Sequence, residues 1–255
     1  MLRFQLKNVI FTPATIVSIL GLYLFMIVSL YPSPHPDIMY NYQYSIAIGY
    51  GSIFIPVAAA IPVSFFLHQV GSYHNSQFTL IRSSIFSYIG ATIFITVISG
   101  VIVTVGAFLL FTLTCFLYSP AGTPYIGAGM FQDQAYIKSF YGNLTTHPLV
   151  LYGIMGLIYT LNGAVWPMIS LLCYSFSTNQ YLIVSIPFIV SIVLGYASQM
   201  LELHYLDPGQ LMLFGGVAAD LPFGGIPYAV SYIGIIVLLC GGIWAMRTYK
   251  KVHYA

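Results

Sequence analysis

The chain has 255 residues, of which 5% are charged and 59% hydrophobic. A soluble globular domain carries about a quarter charged residues, so that class is excluded, and the mean hydropathy of +0.89 agrees. The net charge of +2 says nothing of nucleic acid, because the basic residues lie beside apolar stretches, where they set orientation.

A helix needs about 20 mostly apolar residues to cross ~30 Å of hydrocarbon. In chain order, six stretches meet that need: residues 9–30, 45–67, 84–118, 148–176, 181–199 and 227–246. The expected fold is an all-α membrane protein, one transmembrane domain over residues 1–255 with six spans and both termini cytosolic. Arg3 and Lys7 precede the first stretch without a small-residue cleavage pattern, so it is expected to stay as an anchor. Outer connections fall at residues 32–43, 119–147 and 200–226. The inner ones (1–8, 68–83, 177–180 and 247–255) are too short for a folded domain.

This threading sorts the charges. Asp37, Asp133, Glu202, Asp207 and Asp220 fall on one side. Arg3, Lys7, Arg82, Arg247, Lys250 and Lys251 fall on the other, with Lys138 the exception. The positive-inside rule makes the basic side cytosolic, the inner face of a bacterial cytoplasmic membrane. No Asp, Glu, Lys or Arg is left inside a span. Proton relays and ion-coupled pumps rest on such residues, so a proton-driven antiporter or an acidic intramembrane protease is disfavoured.

Few residues remain that carry chemistry. Asn162 is the strongly polar residue deep in a span, read either as a helix–helix hydrogen bond or as a substrate contact. Pro56, Pro62, Pro167 and Pro187 each remove a backbone donor inside a predicted span, giving static kinks or hinges. Asn162 and Pro167 together mark a candidate substrate path. Cys115, Cys173 and Cys240 lie in apolar stretches without metal-ligand spacing and read as small buried hydrophobes. Glu202, His204 and Asp207 are loosely spaced and read as a solvated loop rather than a metal site. No GxxxxGK[ST] phosphate loop is present, so ATP is not bound through that motif.

Residues 68–88 begin polar and turn amphipathic, with Phe78, Ile81 and Ile85 at helical spacing. They suit either an interfacial loop or a short helix on the cytosolic membrane surface. With six spans, a polar segment ending in Phe78-Thr-Leu-Ile-Arg82-Ser-Ser-Ile-Phe-Ser-Tyr88, a long third span and a Gly/Pro-rich 214–227, the chain resembles the permease subunits of type-2 ATP-binding-cassette (ABC) exporters, peptide and bacteriocin exporters among them. The likeness covers nearly the whole chain through its layout; it lacks the longer amphipathic helix that often precedes the first span.

The resemblance implies that Gln69, Tyr73, His74, Asn75, Gln77, Phe78 and Arg82 belong to a coupling helix seated on a separate cytosolic ATPase. The second inner turn, Ser177, Thr178 and Asn179, would approach the same partner. It further implies a second permease copy, identical or related. No cofactor is expected in this chain; ATP and magnesium would be bound by the partner, and the cargo would be hydrophobic or amphipathic. Two rivals stay open: a membrane scaffold or immunity protein without transport, and an outer-face transferase acting through Glu202, His204, Asp207 or Asp220.

Overall fold

A computed structural model describes residues 9–30, 35–45, 50–72, 84–117, 148–203 and 225–254, and among them it is all-helical with no strand. The helices are α1 (Pro13–Val28), α2 (Ile38–Gln43), α3 (Tyr50–Ser72), α4 (Ile85–Leu117), α5 (Pro148–Asn162), α6 (Val165–Tyr174), α7 (Gln180–Met200) and α8 (Gly225–Tyr254). Among the described residues, four segments are long and apolar enough to cross a membrane: Ile85–Leu117, Tyr152–Tyr174, Gln180–Met200 and Pro227–Lys250. Two shorter apolar helices, Pro13–Val28 and Ser52–His68, occupy the first two predicted stretches.

Local chemistry explains where the boundaries move. The first helix starts at Pro13 rather than at residue 9, because Thr12 caps it by accepting from the Thr15 N–H and proline is suited to the first turn. The helix of the second predicted span, described from Tyr50, runs on to Ser72 rather than ending at residue 67. The fourth is split between α5 and α6. The sixth continues to Tyr254 instead of ending at residue 246. At 1.5 Å per residue, its 30 residues reach about 45 Å, so Arg247, Lys250 and Lys251 ride on helix rather than on a tail.

Two apolar clusters set the direction of each helix. One contains Val9, Val63, Phe66, Leu67, Tyr88, Ile95, Met168, Leu171, Cys240 and Trp244; its end of the bundle is called inner. The other contains Leu22, Met26, Tyr42, Ile55, Val103, Phe111, Tyr152, Tyr159, Trp166 and Ala229, at the outer end. Helices α3, α4, α5–α6 and α8 contribute to both, and Val9 just ahead of α1 belongs to the inner one, so α1 and α4 run one way and α3, α5–α6 and α8 the other. Helix α3 packs on α1, α4, α6 and α7, while α6 packs on α3, α4, α7 and α8, so α3 and α6 are central. Large apolar side chains such as Val17, Leu24, Leu113, Val193, Leu238 and Leu239 face outward, as expected of a lipid-facing surface.

Candidate functional site

The middle of the bundle is built around the break between α5 and α6. The Ala164 N–H turns back to the Leu161 carbonyl at 2.9 Å, one residue short of a regular α-helical bond. The Thr160 carbonyl accepts instead from Thr104 Oγ1 of α4 at 3.2 Å. Pro167 has no N–H to offer Gly163 four residues earlier. The Gly163 carbonyl lies against Gly100 of α4, so close that a Cβ on Gly100 would collide with it and with the Pro167 ring. Gly100 is therefore fixed by close approach rather than by backbone angles, and Gly163 is likewise confined beneath the Thr104 side chain.

The predicted path residues meet here. Asn162 is 2% exposed, and Pro167 is buried against α4. Among the described residues, Thr96 Oγ1 and Trp166 Nε1 are buried with no hydrogen-bond partner, and both belong to helices that meet at this break. A second proline-freed carbonyl is matched across helices. Pro187 withholds a donor from Ile183, and Ser170 Oγ of α6 donates to that carbonyl at 3.0 Å.

At the inner end the second predicted turn is held from both sides. Ser175 terminates α6, and Arg247 of α8 donates through Nη1 to its carbonyl at 3.3 Å. The guanidinium also lies over the Phe176 ring, 3.7 Å from its centroid. A cation at a helix C-terminus is favoured by the carbonyls gathered there. Asn179 caps α7 by accepting from the Tyr181 N–H at 3.0 Å, and its own N–H donates to Ser177 Oγ at 3.2 Å. Thr178 and Asn179 are exposed and Ser177 is half-buried. Phe86 and Tyr249, 6.2 Å apart, place the start of α4 beside the end of α8 at the same end. Of the proposed coupling residues, Gln69 lies near the inner end of α3; Tyr73, His74, Asn75, Gln77, Phe78 and Arg82 lie outside the described residues.

The outer end holds a feature that the sequence reading missed. Residues 35–43, expected as part of an outer connection, are inserted into the bundle, and Ile38, Met39, Asn41, Tyr42 and Gln43 of α2 are buried. Asp37, expected among the outer charges, is 5% exposed and caps α2, its Oδ1 accepting from the Met39 N–H at 2.9 Å. Asn41 exchanges two hydrogen bonds with the His35 backbone, at 2.7 and 2.6 Å. The Asp37 N–H donates to His35 Nδ1 at 3.0 Å. Tyr42 stands edge-on to Phe108, Tyr152 and Tyr159, with centroids 5.6, 5.8 and 6.1 Å away. Its hydroxyl donates to the Met155 carbonyl at 3.2 Å. The signal was present as Asp37 ahead of Ile38, Met39 and Tyr42, an N-cap followed by apolar residues at helical spacing. Likewise, Gly100-x-x-x-Thr104 is a small-x-x-x-small pair of the sort that brings membrane helices together.

Comparison of the chain with protein-family models, with characterised proteins and with solved structures returns no match.

Proposed function

We propose that the chain is the membrane-spanning permease subunit of an ATP-driven exporter in a bacterial cytoplasmic membrane. Paired copies, each with a separate cytosolic ATPase, carry hydrophobic or amphipathic cargo outward, peptide foremost. Six spans complete the layout, the two shorter apolar helices crossing with the four long ones.

One observation carries the reading. Among the described residues the only buried charged side chain is Asp37, at the outer end, and it is committed to capping its own helix. A proton- or ion-driven cycle needs ionisable groups along the path. Without them, motive force has to enter mechanically from the inner face. The exposed turn at Ser177, Thr178 and Asn179 suits that task, since Arg247 ties it to α8 while α6 and α7 continue directly from it. The break at residues 162–164 then supplies a place for the pushed inner half to bend against the outer half. An uncharged interior rich in aromatic side chains accords with hydrophobic or amphipathic cargo.

Affinity purification from mild detergent tests this. An ATPase with a phosphate-binding loop is expected to accompany the chain and to be lost with Arg82→Glu. Vesicles containing the chain alone are expected to move no solute under a pH gradient, and transport under that gradient without nucleotide would refute the proposal. A chain that purifies without any ATPase, and functions so, would be the scaffold.

A further inference from the structure

The inserted segment at the outer end has an unusual construction for something packed among membrane helices. A plug with unpaired polar groups would not enter the bundle. Residues 35–43 avoid that difficulty by carrying hydrogen bonds of their own. Asp37 caps α2, Asn41 is bonded twice to the His35 backbone, and His35 Nδ1 accepts from the Asp37 N–H. Those bonds can survive whether the segment is inside the bundle or out of it. Toward the surrounding helices it presents mainly apolar and aromatic surface, with polar ties that include Tyr42 to the Met155 carbonyl and Ser45 to the Met26 carbonyl.

Beneath it lies a native thiol. Cys115 of α4 is 1% exposed, and the Asn41 side chain is within hydrogen-bonding reach of it.

We propose that α2 is the outer gate of the bundle, closed in this structure, and that its withdrawal as a preassembled unit uncovers Cys115 to the outer solution. The inference rests on the exporter reading for its purpose. Its test needs neither cargo nor ATPase, so the two can fail separately.

The native chain in sealed vesicles, outer face out, is exposed to a membrane-impermeant cationic methanethiosulfonate, and the Cys115 adduct is followed by mass spectrometry. Slow modification is expected, at a rate set by gate opening. Tyr42→Phe combined with Ser45→Ala removes these two polar ties with little change of shape and should speed modification roughly tenfold or more. Oxidising Asn41→Cys to a disulfide with Cys115 should fix α2 in place, and amide exchange across residues 38–43 should then slow until the disulfide is reduced. Should the double variant not accumulate, hydrogen exchange on the unmodified chain decides the matter. Residues 38–43 exchanging well ahead of 100–111 supports the gate. Exchange of both segments in step, or a Cys115 rate unmoved by the double variant, overturns it.

Discussion

At the inner end of the bundle, one cation closes the packing. Arg247 reaches from α8 to the last carbonyls of α6, lies on Phe176, and leaves the turn at Ser177, Thr178 and Asn179 displayed. At the outer end, a whole segment closes it, with α2 seated among aromatic rings and bearing its own polar network. The inner device joins helices through a charge-assisted bond whose partners belong to the bundle. The outer one seats a short segment among the helices, held by apolar and aromatic burial together with polar ties. An element held that way can be exchanged for water without orphaning its internal bonds. A turn held by a guanidinium moves only with the helices that hold it.

Removing one residue from each device measures the contrast. Tyr42→Ala takes away a fully buried ring and its hydroxyl, and by analogy with other large-to-small core changes should lose about 3–5 kcal/mol. Thermal melts in detergent would register the loss, and amide exchange should rise first across residues 38–43. Arg247→Ala removes a charge-assisted hydrogen bond and a cation–π contact at a half-exposed site, worth about 1–3 kcal/mol together. Its exchange signature should be confined to residues 175–181, and Lys at this position should recover only part of the loss because it cannot lie flat on the ring. Equal losses with identical exchange patterns would erase the distinction between the ends.

A smaller effect concerns the middle that joins them. Ser170→Ala leaves the Ile183 carbonyl without its cross-helix donor and should destabilise by about 1 kcal/mol. The same change made with Pro187→Ala should be milder, since the new N–H can serve that carbonyl, and a double-mutant cycle reads the difference. The smallest effect has the opposite sign. Glu202 follows α7 with φ of 56°, in the left-handed region, where glycine is the usual residue. Leu203 N–H bonds back to the Ser198 carbonyl at 2.8 Å, as such a helix stop requires. Glu202→Gly should therefore stabilise by about 0.5–1 kcal/mol, and it also probes the transferase reading, which needs that carboxylate for activity.

The third and fifth predicted spans lie within a residue of α4 and α7, because long apolar runs leave a membrane helix no other way to satisfy its backbone. The inner turn was equally well marked, by polar Ser177, Thr178 and Asn179 between two such runs. The break at residues 162–164 was only hinted at by Asn162, Gly163 and Pro167. Proline reports that a carbonyl has lost its donor, while the neighbour that answers it is set by packing. Here Pro167 frees the Gly163 carbonyl, for which Gly100 makes room, and Thr104 answers for the Thr160 carbonyl that the Ala164 N–H has left. The inserted residues 35–43 were read as outer connection because Pro34, His35, Pro36 and Asp37 suit a loop, and composition does not distinguish a polar group facing water from one bonded within its own segment.

Sequence by itself determined that the chain is helical and suited to a membrane, and where its long helices run, because burial in hydrocarbon is decided residue by residue through transfer free energy. Only the tertiary structure decided that α3 and α6 are central, that Arg247 closes on Ser175 and Phe176, and that α2 is buried in the bundle. Those contacts join residues far apart in the chain, and their energies depend on distances and angles that no local pattern encodes.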